Sequence, residues 1–385
     1  MMNNKSLSAL VDQVRGVSYK PKDIHDTLND LSIVLLRANN IFDGSVDFSD
    51  VIYIDRKRVS PSQILRRGDI LVCASSGSKD LVGKAASFNC DGEYTFGAFC
   101  KVVRPKNVDD ADYISMFFQS PKYRREIAAS ALGANINNIR NEHIDNLIIN
   151  WPVKLNRDII VSLLNQSKSI ITLRKKQLQL FDELIKARFV EMFGDPVNNS
   201  KGWNNQVLKS VCIKITDGEH GSVERVKEGH PFLNAKHIKS TGDIDWANVT
   251  YTPDEVHERI YKRCNPESGD VMMTTTGTIG NVAVVPCGRE PFTMDRGITL
   301  LKLDSTKVQP LYIAWLLRHQ SIQAIMNSKI HASAIGHLFL NKVEKIPVIV
   351  PDMESQNAFS NFVAQIDKSK VMKRLRLAHF LFVDR

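Results

Sequence analysis

Two loops of the chain carry the side chains that could do chemistry. Both combine hydroxyl, amide or ammonium groups with a tight glycine turn: Ser75, Ser76, Ser78, Lys79 and Lys84 in the first, and Thr274, Thr275, Thr276, Thr278 and Asn281 in the second. Groups of these kinds can hydrogen-bond phosphates and the edges of nucleic-acid bases. The alternative is that serine and threonine only satisfy the backbone of their own turns. The residues alone leave both interpretations open.

No motif of a common catalytic site accompanies these loops. The chain has no G-x-x-x-x-G-K-[ST], H-E-x-x-H, G-x-S-x-G or G-x-G-x-x-G, no adenine methyltransferase tetrapeptide, and no Glu-x-Lys after Pro351 and Asp352 as a common nuclease core would need. Asp217 and His220 could form an acid–base pair. A lone histidine beside acids in a glycine turn is more typical of a loop without a catalytic role. Residues 277–280 have the G-x-x-G pattern of an RNA-binding loop, but so short a pattern more often indicates a tight turn.

The two loops belong to segments that repeat along the chain. Residues 68–86 read GDILVCASSGSKDLVGKAA and residues 269–285 read GDVMMTTTGTIGNVAVV, while LLRANNI from Leu35 matches FLNAKHI from Phe232. Further matching residues are Gly44 with Gly242, Tyr53 with Tyr251, Gly97 with Gly297, Tyr113 with Tyr312, and Pro152 with Pro351. The separations stay between 197 and 201 residues. This regularity predicts two copies of one module.

Each module ends in a segment that predicts a long helix. No glycine or proline interrupts Leu155 to Phe193, and apolar residues recur there at spacings of three and four. Such a helix would be about 57 Å long at 1.5 Å per residue. A second apolar stripe follows Pro351. Each helix could pack on its own module, but two equivalent helices favour pairing side by side. Gly194-Asp195-Pro196 ends the first helix and predicts a domain boundary.

Length and composition limit the class of protein. A chain of 385 residues predicts two or three domains, and 43% hydrophobic with 24% charged residues is typical of a folded globular protein. The net charge of +9 and the pI of about 9.1 favour a polyanionic partner. Short strands between turn glycines predict α+β modules with twisted sheets.

Cysteine usage and hydropathy exclude other classes. The 6 cysteines are scattered without a C-x-x-C pair, which argues against a zinc ribbon and a disulfide framework. No apolar run reaches the length of a membrane-spanning helix, and the N-terminal residues lack the apolar core of a signal peptide. We therefore expect a cytoplasmic protein without a metal site.

The paired turns, the LLRANNI and FLNAKHI segments, the DGEHGS turn and the helix ending in ELIKARFVEMFGDP together resemble the DNA-specificity subunits of type I restriction-modification systems. The resemblance covers essentially the whole chain. It implies a non-catalytic subunit with two target-recognition domains, each reading one half of a split double-stranded DNA site. Two long helices, paired as an antiparallel coiled coil, would hold the domains apart and dock two methyltransferase subunits, with restriction and translocase subunits joining the complex. S-adenosylmethionine, ATP and Mg would be bound by these partner subunits and none by this chain.

Carried onto this sequence, the resemblance implies recognition domains over residues 1–153 and 194–350 and spacer helices over residues 154–193 and 351–385. The sequence departs from a regular repeat in two places. The second helix stops about two turns earlier than its counterpart, and the first copy has GVSYKPKD where the second has the DGEH turn.

Candidate DNA-binding residues follow from the loops and the resemblance. They are polar or basic residues at matching places in both copies: Arg37, Asn40, Ser76, Ser78, Lys79 and Lys84 in the first, and Asn234, Lys236, His237, Thr274, Thr276, Thr278, Asn281 and Arg296 in the second. Two other classes stay open, namely a self-contained methyltransferase or nuclease with an unrecognised site, and a repeat scaffold that binds only proteins.

Overall fold

A computed structural model describes residues 3–78, 80–131, 138–330 and 336–382, and in residues 371–382 only the helical path. The chain divides into two compact units, residues 1–170 and residues 171–385. Each unit combines short strands with helices, so the predicted α+β class is confirmed. The helix that the sequence predicts between the modules is present and crosses the division between the units.

The first unit begins with short strands and ends in the long helix. Its strands are β1 (Asn3–Ser6), β2 (Val11–Arg15), β3 (Ile24–His25), β4 (Ser32–Leu36), β5 (Ile41–Phe42), β6 (Ser45–Val46), β7 (Ile52–Asp55), β8 (Ile70–Cys73), β9 (Ala85–Ser87), β10 (Tyr94–Phe96), β11 (Cys100–Pro105) and β12 (Ile148–Trp151). Its helices are α1 (Ala111–Phe118), α2 (Pro121–Ala131), α3 (Asn141–Asp145) and the first part of α4 (Lys154–Phe193).

Three sheets organise the first unit, in the orders β2-β11-β8-β9-β6-β5, β10-β4-β7-β3 and β1-β12. The fully buried strand β8 explains how two cores form around the largest sheet. Successive side chains of a strand point to opposite faces, so Ile70 and Val72 pack with α1, α2 and α3, while Leu71 and Cys73 pack with Phe88 and other residues on the other face. The loop after β8 therefore leaves a rigid, doubly covered strand.

The second unit contains the remaining elements. Its strands are β13 (Asn204–Val207), β14 (Cys212–Asp217), β15 (His230–Leu233), β16 (Thr250–Thr252), β17 (Val271–Thr274), β18 (Val282–Val284), β19 (Thr293–Met294), β20 (Ile298–Leu303) and β21 (Pro347–Val350). Its helices, besides the end of α4, are α5 (Asp254–Arg263), α6 (Pro310–Arg318), α7 (Gln320–Ser328), α8 (Leu340–Val343) and α9 (Met353–Phe382).

The sheets of the second unit have the orders β14-β20-β17-β18, β16-β15-β19 and β13-β21. Strand β17 occupies the place in this unit that β8 has in the first, between an antiparallel neighbour on each side. It also serves two cores, because Val271 and Met273 pack in one cluster and Met272 packs in another. The threonine-rich loop therefore also leaves a doubly covered strand.

Within the second unit, the C-terminal half of α4 packs against α9. Phe189 and Phe193 each contact Phe359, with ring centroids 5.5 Å apart in both pairs. Later in α9 and earlier in α4, the Lys370 ammonium donates to Asp182 over 2.7 Å. Contacts that advance along α9 recede along α4, so the two helices run antiparallel where they touch. None of the helices in the described ranges has an apolar stretch long enough to cross a membrane.

Candidate nucleic-acid interface

The threonine-rich loop after β17 is anchored by backbone hydrogen bonds to two distant segments. The Thr275 amide donates to the Gly297 carbonyl over 2.8 Å, and the Leu338 amide donates to the Thr275 carbonyl over 2.9 Å. Thr276 and His337 lie opposite each other in a single antiparallel β-bridge. These bonds bring residues separated by more than 60 positions into one surface, which we call the second loop surface (residues 275–281, 295–297 and 336–338).

The first unit builds an equivalent surface around the loop after β8. The Ala74 amide donates to the Phe99 carbonyl over 2.9 Å, and the Ile139 amide donates to the Ala74 carbonyl over 2.8 Å. Ser75 and Asn138 form the matching antiparallel bridge. We call residues 74–78, 80–84, 97–99 and 138–139 the first loop surface. Its hydrogen-bond frame corresponds to that of the second loop surface.

Two glycines hold the strands beside these surfaces close together. A Cβ on Gly16 would lie 2.1 Å from the Gly97 carbonyl oxygen, and one on Gly218 would lie 2.1 Å from the Met294 carbonyl oxygen. No other residue type permits such a close backbone approach. The GVSYKPKD and DGEH segments thus make the same kind of close contact although their side chains differ. In each, the residue after the glycine, Val17 or Glu219, forms a parallel bridge.

The tips of both loops face open space. A Cβ added at Gly77 or at Gly277 would have no atom within 4 Å. Ser78 and Thr278 are exposed next to these glycines, while Ser76 and Thr276 are half-buried. Gly277 and Gly280 have φ angles of +73° and +87°, which makes the predicted G-x-x-G segment a pair of left-handed turn positions. These hydroxyls are the predicted residues that a ligand could reach directly.

Three predicted DNA-binding residues lie in the interior instead. Thr274 is fully buried, and its hydroxyl accepts the Asn281 amide over 2.9 Å. Asn40 accepts the Arg37 amide and donates to the Asp47 carbonyl, and His237 accepts the Asn234 amide at Nδ1 and bonds the Asn248 carbonyl at Nε2. Burial also lowers the pKa of His237. Asn40 and His237 cap short helical turns and Thr274 holds the Asn281 amide, so none of the three side chains faces a ligand.

Three further predicted residues are partly engaged within their own units. Asn234 donates to Asp295 over 2.6 Å, and Asn281 donates to the Ile238 carbonyl over 2.8 Å. Arg37 forms an ion pair of 3.0 Å with Asp50. Asn281 ties the second loop surface to the turn after Asn234, so it fixes the loop rather than extending from it.

The predicted basic residues lie mainly on the outside. Lys84 is exposed on the first loop surface, and Lys236 and Arg296 are exposed in the second unit, where the Arg296 amide also donates to the Glu219 carbonyl. Lys79 lies outside the described residues. Exposed cations of this kind supply the sequence-independent part of binding to a polyanion.

Sequence reasoning missed the residues that face each loop across its bridge, Asn138 and His337. The Thr276 hydroxyl lies 2.7 Å from His337 Nδ1, and the Phe339 ring packs edge-on against the imidazole with centroids 4.6 Å apart. Burial lowers the pKa of His337, and the neighbouring Arg296 and His220 lower it further. Asp217 acts in the opposite direction and raises this pKa. Only the 199-residue separation of Asn138 from His337 could have identified the pair in the sequence.

Metal and acid–base chemistry find little support at these surfaces. Within residues 3–78, 80–131, 138–330 and 336–382, no group of three or more His, Cys, Asp or Glu residues could hold a metal ion. His220 Nε2 lies 2.8 Å from Asp217 Oδ2, and Arg263 Nη1 lies 3.6 Å from Asp217 Oδ1. An ion-paired surface turn accounts for this histidine and carboxylate.

Comparison with known proteins assigns part of the chain to a known domain family. Residues 219–377 match the type I restriction modification DNA specificity domain. The type I restriction enzyme EcoKI specificity subunit of Escherichia coli (strain K12) is 30% identical over 295 residues, which is 73% of this chain and 62% of that protein. The StySPI specificity subunit of Salmonella potsdam is 34% identical over 180 residues, covering 47% of this chain and 39% of that protein. The chain thus spans less than two thirds of the length of these relatives.

A solved structure extends the similarity to the whole fold. The S subunit of a type I restriction-modification system from M. genitalium aligns with a TM-score of 0.55 and 14% sequence identity, over 100% of this chain and 94% of that one. At this identity the match concerns the fold alone. Together with the matched domain and the bacterial relatives, it confirms the resemblance seen in the sequence. Residues 219–377 belong to the family of type I restriction modification DNA specificity domains, and 73% of the chain resembles the specificity subunit of a type I restriction enzyme.

Proposed function

We propose that this chain is a non-catalytic specificity subunit that recognises a bipartite, asymmetric double-stranded DNA sequence and directs methyltransferase and restriction subunits to it. The observation that carries the proposal is the pair of loop surfaces. Both rest on the same backbone hydrogen bonds, yet one presents serines and Asn138 and the other presents threonines and His337. Equal frames with unequal side chains would read two different half-sites. The net charge of +9 suits a polyanionic ligand.

An internal duplication of one module underlies this proposal. Tyr113 and Tyr312 each donate a hydroxyl hydrogen bond to a carbonyl 37 residues further along, over 2.9 Å and 2.7 Å. Asp69 and Asp270 each accept, over 2.8 Å, the amide three residues before them. Side-chain bonds repeated at such spacing support a shared origin better than similar strand counts would.

The helix pairing is the second part of the proposal. The contacts between α4 and α9 in the second unit are antiparallel and consist of an aromatic cluster followed by the Lys370 and Asp182 ion pair. We infer an antiparallel coiled coil that extends this contact. The recognition domains would cover residues 1–153 and 194–350, and the spacer helices residues 154–193 and 351–385.

Helix α4 also offers a surface for partner subunits. Its large apolar residues on one stripe are each at least 40% exposed: Leu155, Ile159, Leu163, Ile170, Leu173, Leu180 and Leu184. An exposed apolar stripe of this length indicates a protein-interaction site. We assign it to two methyltransferase subunits, with restriction and translocase subunits joining through them. S-adenosylmethionine, ATP and Mg would then be bound by the partners and not by this chain.

The proposed set of DNA-contacting residues is smaller than the set that the sequence predicts. We retain the residues that remain accessible on or beside the loop surfaces: Ser76, Ser78, Lys84, Lys236, Thr278 and Arg296. Asn40, His237 and Thr274 are left out because their side chains are buried and bonded within the units. Hydroxyls would contact base edges, and the cations would mainly contact phosphates.

The decisive experiment maps methylated bases in the host genome with and without this gene. We expect a bipartite asymmetric motif, with a gap between its halves, whose methylation disappears when the gene is deleted. Binding of duplex DNA by the assembled complex should weaken steeply as salt increases, since phosphate contacts release counterions. A single uninterrupted motif, or methyl transfer by the purified chain alone, would contradict the proposal.

A further inference from the structure

We propose that His337 is a DNA-contacting specificity residue of the second loop surface and that Thr276 is the residue that positions it. This inference rests on the proposed function, because it names the contacting atom within one of the two surfaces. It also reassigns Thr276, which the sequence predicts to contact DNA itself.

The bond between Thr276 and His337 has the geometry of a strong, directed contact. The hydroxyl oxygen and Nδ1 are 2.7 Å apart, and the two residues face each other in a backbone bridge. The Leu338 amide is bonded to the Thr275 carbonyl immediately beside them. Both backbones are therefore fixed before the side chains meet, so the imidazole has little freedom to rotate.

This bond decides what the imidazole can offer to a ligand. In the neutral ring one nitrogen carries the proton and the other accepts a hydrogen bond. A threonine hydroxyl can donate to Nδ1 or accept from it. We take the Thr276 hydroxyl to donate, which leaves the proton on Nε2. His337 then presents a single N–H donor to a ligand. Without the hydroxyl, the proton could occupy either nitrogen, and the ring could accept as well as donate.

The surroundings favour the neutral ring and an electron-rich ligand. Burial lowers the pKa of His337 most, Arg296 and His220 lower it further, and Asp217 raises it. The exposed Arg296 adds further donors on the same surface. In the major groove, guanine presents two acceptors, N7 and O6, and phosphate oxygens present acceptors of the same chemistry. The ligand class is thus a hydrogen-bond acceptor of duplex DNA.

The first loop surface supplies a matched contrast. Asn138 occupies the place of His337 in the bridge and is exposed. A carboxamide carries both a donor and an acceptor, and it pairs with adenine N6 and N7 through both. The same backbone position would therefore discriminate different bases in the two half-sites.

The test uses the complex assembled with its methyltransferase subunits and a library of duplexes with randomised sequence. Bound duplexes are selected and sequenced for wild type and for His337→Ala, Thr276→Val and Thr276→Ser. Thr306→Val is the matched control, because its hydroxyl makes a comparable 2.6 Å bond to Asp304 in a turn outside the loop surfaces. Thermal unfolding of each variant identifies a loss of folding.

We expect His337→Ala to reduce discrimination at one position of one half-site by about 5-fold or more, the lower limit for a good base contact. Thr276→Val should relax the same position, admitting bases that donate, while Thr276→Ser and Thr306→Val keep the wild-type preference. Asn138→Ala should affect only the other half-site. Unchanged base preference in His337→Ala, or relaxation by Thr306→Val as well, would overturn the inference.

Modified duplexes separate the two acceptor sources. Replacing guanine by 7-deazaguanine at the affected position should weaken wild-type binding without changing binding by His337→Ala. If a neutral methylphosphonate produces that pattern instead, His337 binds phosphate and its role in specificity is refuted. The proposed function fails separately, namely if wild type selects no bipartite sequence from the library.

Discussion

The loop after β8 and the loop after β17 share a backbone frame but present different side chains at the bridge. Their anchoring hydrogen bonds correspond one to one, whereas the bridge partner is Asn138 in one and His337 in the other. The difference teaches that the backbone frame and the side chains it presents are separable. Buried main-chain bonds and glycines hold the frame, and side chains at the bridge and tip are free to change without disturbing it.

The largest expected effect concerns two ion pairs whose aspartates, Asp69 and Asp270, directly precede β8 and β17. Arg104 makes two bonds of 2.8 Å and 2.7 Å to Asp69, which is 1% exposed, while Lys302 bonds Asp270 over 2.8 Å. Arg104→Leu leaves a buried carboxylate without its partner, so we expect unfolding free energy to fall by about 3 to 5 kcal/mol. Lys302→Leu should cost less, about 1.5 to 3 kcal/mol.

Urea unfolding of the purified variants measures both changes. Arg67→Leu is the control, because its contact with Asp91 is 3.9 Å long and exposed on both sides. An equal cost for Arg104→Leu and Lys302→Leu would show that the two frames depend on their ion pairs to the same degree.

Alanine at the two close-packed glycines should have a smaller and equal effect. In Gly16→Ala and Gly218→Ala the new Cβ would lie 2.1 Å from a carbonyl oxygen, which forces the backbone apart. We expect a loss of about 1 to 3 kcal/mol for each. Gly77→Ala, with no atom within 4 Å of the new Cβ, serves as the control in the same thermal unfolding series. A tolerated substitution at one glycine only would break the correspondence between the frames.

The paired tyrosines predict an unequal and smaller effect. Tyr312 is fully buried and donates to Ile349, whereas Tyr113 is half-buried and donates to Asn150. Tyr312→Phe should destabilise by about 1 kcal/mol, the net value of a buried hydrogen bond, and Tyr113→Phe by about half as much. Denaturant midpoints of the two variants measure which loss of stability is larger. A larger loss for Tyr113→Phe than for Tyr312→Phe would contradict this prediction.

The smallest effect is a difference in alkaline pH dependence between the buried Lys101 and the half-buried Lys302. Burial lowers the pKa of Lys101. Burial also disfavours the charged form of Lys302, but the bonds of Lys302 to Asp270 and Glu267 raise its pKa above the ordinary value. The stabilisation by Lys302 is present below the unfolded pKa and is lost as pH rises through the folded one. Lys101 behaves oppositely, since the unfolded chain then binds its proton more tightly and stability rises with pH.

Urea midpoints of wild type, Lys101→Met and Lys302→Met between about pH 8 and about pH 11 measure these slopes. The advantage of wild type over Lys302→Met should shrink with pH, and its advantage over Lys101→Met should grow. Slopes of the same sign would contradict the assignment of the two lysines.

Local sequence pattern determined the elements of this protein and their repetition. A segment without glycine or proline becomes α4, and the Gly-Asp turns at Gly68 and Gly269 precede strands at matching places. These features depend on neighbouring residues only, so periodicity and turn chemistry reveal them. The family resemblance rests on the order of such elements.

Tertiary structure alone decided which polar residues are accessible. Asn40, His237 and Thr274 look like their exposed neighbours in the sequence, but packing buries them and their own units satisfy their hydrogen bonds. His337 reaches Thr276 only because the Leu338 amide bonds the Thr275 carbonyl across more than 60 residues of chain. Burial and long-range pairing depend on which elements come together in space, and no local pattern encodes that.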